Sequence, residues 1–210
     1  MVLQDTDDDM TDSIPESPSF AFSSHPSCSS FAINLESYVA HNPVKSTTFG
    51  ATIQTYYIAT GAMVFDKSSP QRILLVQRAS TDSMPNLWEV PGGAVDPEDP
   101  TILHAVAREL REEAGLTATN IGPQVGEVQI FVTRRGLTIC KFHFLIDAKT
   151  SPDGTMDVKL DPGEHQSYVW ATEEQVKAGR VNDVQLKWTL REQEAPVLEA
   201  FLARNAQSKI

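Results

Sequence analysis

At 210 residues, 40% of them hydrophobic, the chain is long enough for one well-buried domain of ordinary size with extensions. Its net charge of −11 argues against a nucleic-acid backbone or an anionic membrane as the main partner, because such partners need a basic footprint. Cys28 and Cys140 form neither a disulfide framework nor a zinc pattern, and no apolar run approaches the length of a membrane span.

Residues 1–30 open with Asp5, Asp7, Asp8, Asp9 and Asp12 and continue into a serine- and proline-rich stretch. Such a segment buries too little apolar surface to offset its ordering entropy. It is expected to be a disordered tail ahead of a domain over residues 31–210, while Phe20, Phe22 and Phe31 interrupt it and can dock on the domain or on a partner. The acidic start is unlike a signal or transit peptide, which leaves the cytoplasm as default compartment and the nucleus open. Ile33, Leu35 and Tyr38 can anchor a short strand or helical turn, and residues 46–57 hold enough β-formers for an edge strand.

Residues 60–65 and 73–76 read as buried strands joined by a turn over 66–70. The second strand ends at Arg78, whose planar guanidinium can either reach a substrate phosphate or form a structural ion pair. Residues 79–86 read as a loop. Residues 87–91 follow as a short strand, in which Trp88 either fills the core or stacks on a nucleobase.

The stretch 92–116 carries the most chemistry. A glycine pair, Gly92-Gly93, leads through the acidic loop Asp96-Pro97-Glu98-Asp99 into one helix. Asp99 is the expected N-cap, Pro100 the first helical residue and Gly115 the stop. Leu103, Val106, Ala107 and Leu110 recur at three- and four-residue steps and should face the core. Glu109, Glu112 and Glu113 share an adjacent face, where they repel one another. A hard divalent cation such as Mg2+ reverses that sign, because it takes carboxylate oxygens together with waters and substrate phosphates. Without a cation the same pattern is an ordinary solvated acidic face. Arg108 lies four residues before Glu112 and can hold it by an ion pair.

Residues 125–132 and 137–146 read as a hairpin that turns at Arg134-Arg135-Gly136, with Cys140 as core packing or a half-exposed strand residue and His143 as a hydrogen-bonded strand residue. Residues 149–163 are a polar loop. Glu164-His165 precedes a strand over 167–171, and Thr172 caps a helix with Glu173 and Glu174 in its first turn. Residues 192–206 suit an amphipathic helix that packs on the sheet or forms an interface, so a dimer stays open.

The run 93–116 resembles the Nudix box of the Nudix hydrolases. That pattern is a glycine, five residues, Glu, seven residues, then Arg-Glu-aliphatic-x-Glu-Glu-x-Gly-aliphatic. Gly93 matches the opening glycine, and Arg108, Glu109, Leu110, Glu112, Glu113, Gly115 and Leu116 match the second half. Asp99 stands where the family has Glu, and one extra residue precedes Arg108. A looser likeness spans residues 46–178.

The resemblance implies an α/β fold, an α/β/α sandwich around a small mixed sheet. It implies a metal-dependent hydrolase that cleaves a diphosphate bond in a nucleoside diphosphate-linked or similar phosphorylated small molecule. On that basis Glu109, Glu112, Glu113 and the Gly93 carbonyl hold Mg2+ or Mn2+. Glu112 or Glu164 accepts the proton of the attacking water, and Arg108 orients Glu112. Arg78 and Trp88 border the substrate, with His165 a further candidate. The alternative is a catalytically silent Nudix-like module that binds a nucleotide or a protein. The extra residue and Asp99 favour that alternative, and three retained glutamates weigh against it.

Overall fold

In the computed structural model, residues 20–45, 52–53, 56–190 and 192–207 are described. The chain begins with β1 (Ser23–Ser24), a 3-10 helix (Pro26–Phe31), α1 (Leu35–His41), β2 (Val44–Lys45) and β3 (Thr52–Ile53). β4 (Tyr57–Val64), β5 (Arg72–Arg78), β6 (Trp88–Glu89) and α2 (Ile102–Ala114) follow. The rest comprises β7 (Ala118–Val132), β8 (Thr138–Ala148), β9 (His165–Thr172), α3 (Glu173–Lys177), β10 (Arg180–Val181), β11 (Val184–Gln185) and α4 (Glu194–Gln207).

The central strands are apolar on both faces, as strands covered on both sides must be. Ala62, Val64, Leu74, Val76, Phe144 and Ile146 join Leu103, Val106 and Leu110 of α2 in one core. Their neighbours by one residue, Met63, Ile73, Leu75 and Leu145, join Val197, Ala200 and Phe201 of α4 in a second. That offset of one is the two-residue period of a strand. Helices therefore clasp the strands from opposite sides, which is the α/β/α sandwich the sequence implies. The four-stranded sheet, ordered β1-β7-β8-β4, is mixed: β7 and β8 are antiparallel, while β4 runs parallel to β8 and β1 to β7. A second, antiparallel sheet is ordered β6-β5-β9.

Two expectations change near the N-terminus. Residues 1–19 of the expected tail, and most of the expected edge strand over 46–57, lie outside the described residues. The remainder of that tail, residues 20–30, is built into the fold. Ser23–Ser24 pair with β7, and Cys28 and Phe31 are buried. The Phe31 ring meets Phe142 and Phe144 edge-on at 5.0 Å. Composition reads this segment as polar, yet residues three apart on a 3-10 turn stand on one side, so Cys28 and Phe31 are buried together. The C-terminal helix packs on the sheet, with Phe201 edge-on to Phe65 at 4.9 Å. Among the described residues no helix is long and apolar enough to cross a membrane.

His143 of β8 is fully buried, and a Cβ on Gly61 would lie 2.4 Å from its Cδ2. Burial, with the Lys141 charge adding to it, pushes its pKa down to about 3. The unfolded chain takes up this proton near pH 6.5, whereas the folded chain refuses it. Stability from this group is therefore complete above about pH 6.5 and falls as pH drops toward 3, by up to about 1.4 kcal/mol per unit. Urea denaturation at pH 7 and pH 5 should show wild type losing more stability between the two than His143→Leu does. Equal losses would assign the pH sensitivity to other groups.

Candidate active site

The glycine pair is pinned to β4. Thr60 N donates to Gly93 O at 2.8 Å, Ala62 N to Pro91 O at 2.8 Å, and Val95 N to Ile58 O at 2.9 Å. Gly92 has φ +144°, and a Cβ there would fall 2.2 Å from the Thr60 carbonyl oxygen, so only glycine fits. A Cβ on Gly93 would meet the Glu109 carboxylate at 2.6 Å. The second glycine thus lets an acidic side chain lie against bare backbone. This segment, α2, the end of β5 with the loop after it, and the residues just ahead of β9 border a cleft of about 450 Å3, lined by Arg78, Asp82, Gly93, Glu109, Glu113 and Glu164 among others.

α2 ends at Gly115, in the left-handed conformation at φ +68°, as its sequence predicts. Its start differs. Thr101, rather than Asp99, is the N-cap, and its hydroxyl accepts from His104 N at 3.2 Å. Pro100 consequently lies before the cap. Asp99 is released for a different task, because its carboxylate receives Arg108 through Nε at 3.0 Å and Nη2 at 2.9 Å. Arg108 Nη1 donates to Glu109 and to Glu112, each at 2.9 Å, and Nη2 also donates to Ala94 O at 3.0 Å. These contacts employ all five guanidinium N–H groups.

A second network stands behind the cleft. Arg78 Nη1 donates to Glu89 at 2.6 Å, and Nη2 is paired with Asp82. Glu89 Oε2 accepts from the Thr189 hydroxyl at 3.3 Å, and Oε1 lies 3.4 Å from His165 Nε2. Burial alone would raise the Glu89 carboxyl. The His165 hydrogen bond, the Lys141 charge and Arg78 together outweigh it and hold its pKa at about 2. Glu89 was not singled out from the sequence. The available signal was an acid between two apolar residues of a short strand, since a buried charge needs a partner.

The cleft acids behave differently. Burial pushes Glu113 up to about 9, with Glu89 and Glu109 adding to it, although Gly92 N donates to its Oε2 at 2.6 Å. Burial also pushes Glu109 up to about 7 against the pull of Arg108, and Glu112 and Glu164 push the same way. Acids crowded so that ionisation is costly are the donor set that gains from a divalent cation. The residues present therefore fit the metal that the box implies.

The structure brings Arg78, Gly93, Glu109, Glu113 and Glu164 to one cleft. Glu112 stands beside it, with a side chain 57% exposed that shares Arg108 Nη1 with Glu109. Trp88 is corrected as a substrate contact. At 1% exposed it fills the core on the α4 side, and it has no free face on which a base can stack.

Comparison with known proteins agrees with this geometry. Residues 55–198 match the NUDIX domain family. A CTP pyrophosphohydrolase of Escherichia coli (strain K12) is 35% identical over 137 residues, which is 64% of this chain and 85% of that protein. An m7GpppN-mRNA hydrolase, NUDT17, of Danio rerio is 30% identical over 137 residues, but the match spans only 44% of that protein and 58% of this chain. Among solved structures, a C. elegans Ap4A hydrolase binary complex superposes with a TM-score of 0.51 at 26% identity, covering 72% of this chain and 98% of that one.

Arg108→Lys tests the five-donor junction. An ammonium has three donors and cannot serve both Asp99 oxygens and three further acceptors. Asp99 is then left buried and under-satisfied, and urea denaturation should show a loss of about 1–3 kcal/mol. Unchanged stability would mean that solvent already serves these acceptors.

Proposed function

This chain belongs to the Nudix hydrolase family, and from that premise we propose that it hydrolyses a diphosphate bond in a nucleoside diphosphate-linked or similar phosphorylated small molecule, using Mg2+ or Mn2+. The observation that carries this reading is the convergence of Glu109, Glu113 and Glu164 on one cleft, with the Arg78 guanidinium in its wall. The relatives point the same way, since CTP, m7GpppN-mRNA and Ap4A all carry a nucleoside on a chain of phosphates. The net charge of −11 adds a requirement, because a phosphate chain entering an acidic cleft needs its charge neutralised locally.

When bound, the metal supplies neutralisation of phosphoryl oxygens and a lowered pKa for coordinated water. Glu109 and Glu113 would hold it. The Gly93 carbonyl already accepts from Thr60 N and keeps a second lone pair for a cation. Arg78, held by Asp82 and Glu89, presents a fixed positive charge to the substrate phosphates. Glu112 or Glu164, both exposed beside these groups, accepts the proton of the attacking water. Arg108 positions Glu109 directly and keeps Glu112 on the rim.

The test is a product screen with Mg2+ over dinucleoside polyphosphates, nucleotide sugars, nucleoside triphosphates and capped RNA. Wild type should turn over at least one class. Glu109→Gln and Glu113→Gln should lose about 100-fold or more in kcat, and Glu112→Gln should lose less. If Glu113→Gln matches wild type, the assignment fails. Tight ligand binding with no product and no metal effect would instead select the silent binding module.

A further inference from the structure

We infer that His165 is a nitrogen ligand in the cation site of this cleft, which would give the site a preference for borderline divalent ions over Mg2+. The inference rests on the metal-dependent reading above and names a donor that the box pattern does not contain. A ring nitrogen of His165 and one carboxylate oxygen each from Glu113 and Glu164 lie within 4.8 Å of one another. One divalent ion can span that separation, because bonds of about 2.0–2.3 Å on either side of it reach nearly as far.

The imidazole is not a bystander to that triangle. His165 is 1% exposed, and its Nδ1 is buried without a hydrogen-bond partner. A buried ring nitrogen without a partner is costly; His143 Nδ1 is buried and unpaired too, but among the described residues only His165 also has two carboxylates within ligand reach. The other nitrogen has a fixed neighbour. Nε2 lies 3.4 Å from Glu89 Oε1, and Glu89 is itself anchored by Arg78 at 2.6 Å and Thr189 at 3.3 Å. An anchored carboxylate beside Nε2 selects the tautomer with the proton on that nitrogen, which leaves the Nδ1 lone pair for a metal. Metal-ligating histidines commonly donate their second N–H to a carboxylate in this way. The backbone holds the ring in place, since His165 opens β9 opposite Arg78 and its N–H donates to Asp161 O at 2.8 Å.

Ligand chemistry then sets the ion. Mg2+ takes oxygen donors and dehydrates reluctantly, whereas later divalent ions gain from an imidazole. The full chain loaded with Mn2+ is suited to pulsed electron paramagnetic resonance. Wild type should show 14N coupling from a directly bound imidazole, and labelling histidine with 15N should convert that signal. That control does not depend on any variant folding. His165→Gln, checked by circular dichroism, should abolish the coupling. It should weaken Zn2+ binding, the borderline ion, about tenfold or more and Mg2+ binding by less than about threefold. Mn2+ bound without histidine coupling overturns the ligand assignment and leaves the hydrolase reading standing on its turnover data. If wild type binds no Mn2+ by calorimetry, both readings fall.

Discussion

One guanidinium organises the acidic side of this protein. Arg108 projects from the middle of α2 and donates to Asp99, Glu109, Glu112 and the Ala94 carbonyl. Asp99 is almost completely buried, so that pair is not a screened surface contact whose worth is near zero. Through it the loop ahead of the helix is fastened to the helix. The Ala94 contact fastens the glycine segment to the same point. The placement of the Glu109 carboxylate depends on that junction.

The cleft sets attraction and repulsion against each other. Gly92 lies against the β4 backbone where a Cβ would clash, and the glycine pair takes Glu109 against Gly93 and Glu113 onto the Gly92 N–H. Both acids are then crowded and poorly solvated, and their pKa values rise. Glu89 lies nearby yet stays ionised, because Arg78 and His165 reach it. Carboxylates a few ångströms apart are thus driven toward opposite protonation preferences by which cation or hydrogen-bond donor each can reach. Such divergence is characteristic of sites that manage charge, although structural networks produce it too.

Local pattern was legible wherever the cause is local. The core stripe of α2, its glycine stop, the buried strands around Ile73 and Met63, the hairpin turn at Gly136 and the capping box at Thr172 all follow from neighbours within four residues. The segment at Cys28 misled because its polarity is an average over ten residues, whereas burial depends on two. The cap of α2 misled for a related reason. Asp99 and Thr101 are both good caps, and the choice falls to Thr101 because Arg108 recruits the aspartate.

The amino-acid sequence by itself determined the box helix, the buried strands and the set of acids available to the cleft, because periodicity, capping and glycine placement act over a few residues and need no distant partner; the sandwich followed from the resemblance that the box carries. Tertiary structure decided which acids meet. Glu89 finds Arg78 through strand register, the neighbours Glu164 and His165 meet Glu113 of α2, and Trp88 turns inward instead of toward the cleft. Those outcomes depend on how segments tens of residues apart align and on how deeply each side chain is buried, and no local spacing encodes either quantity.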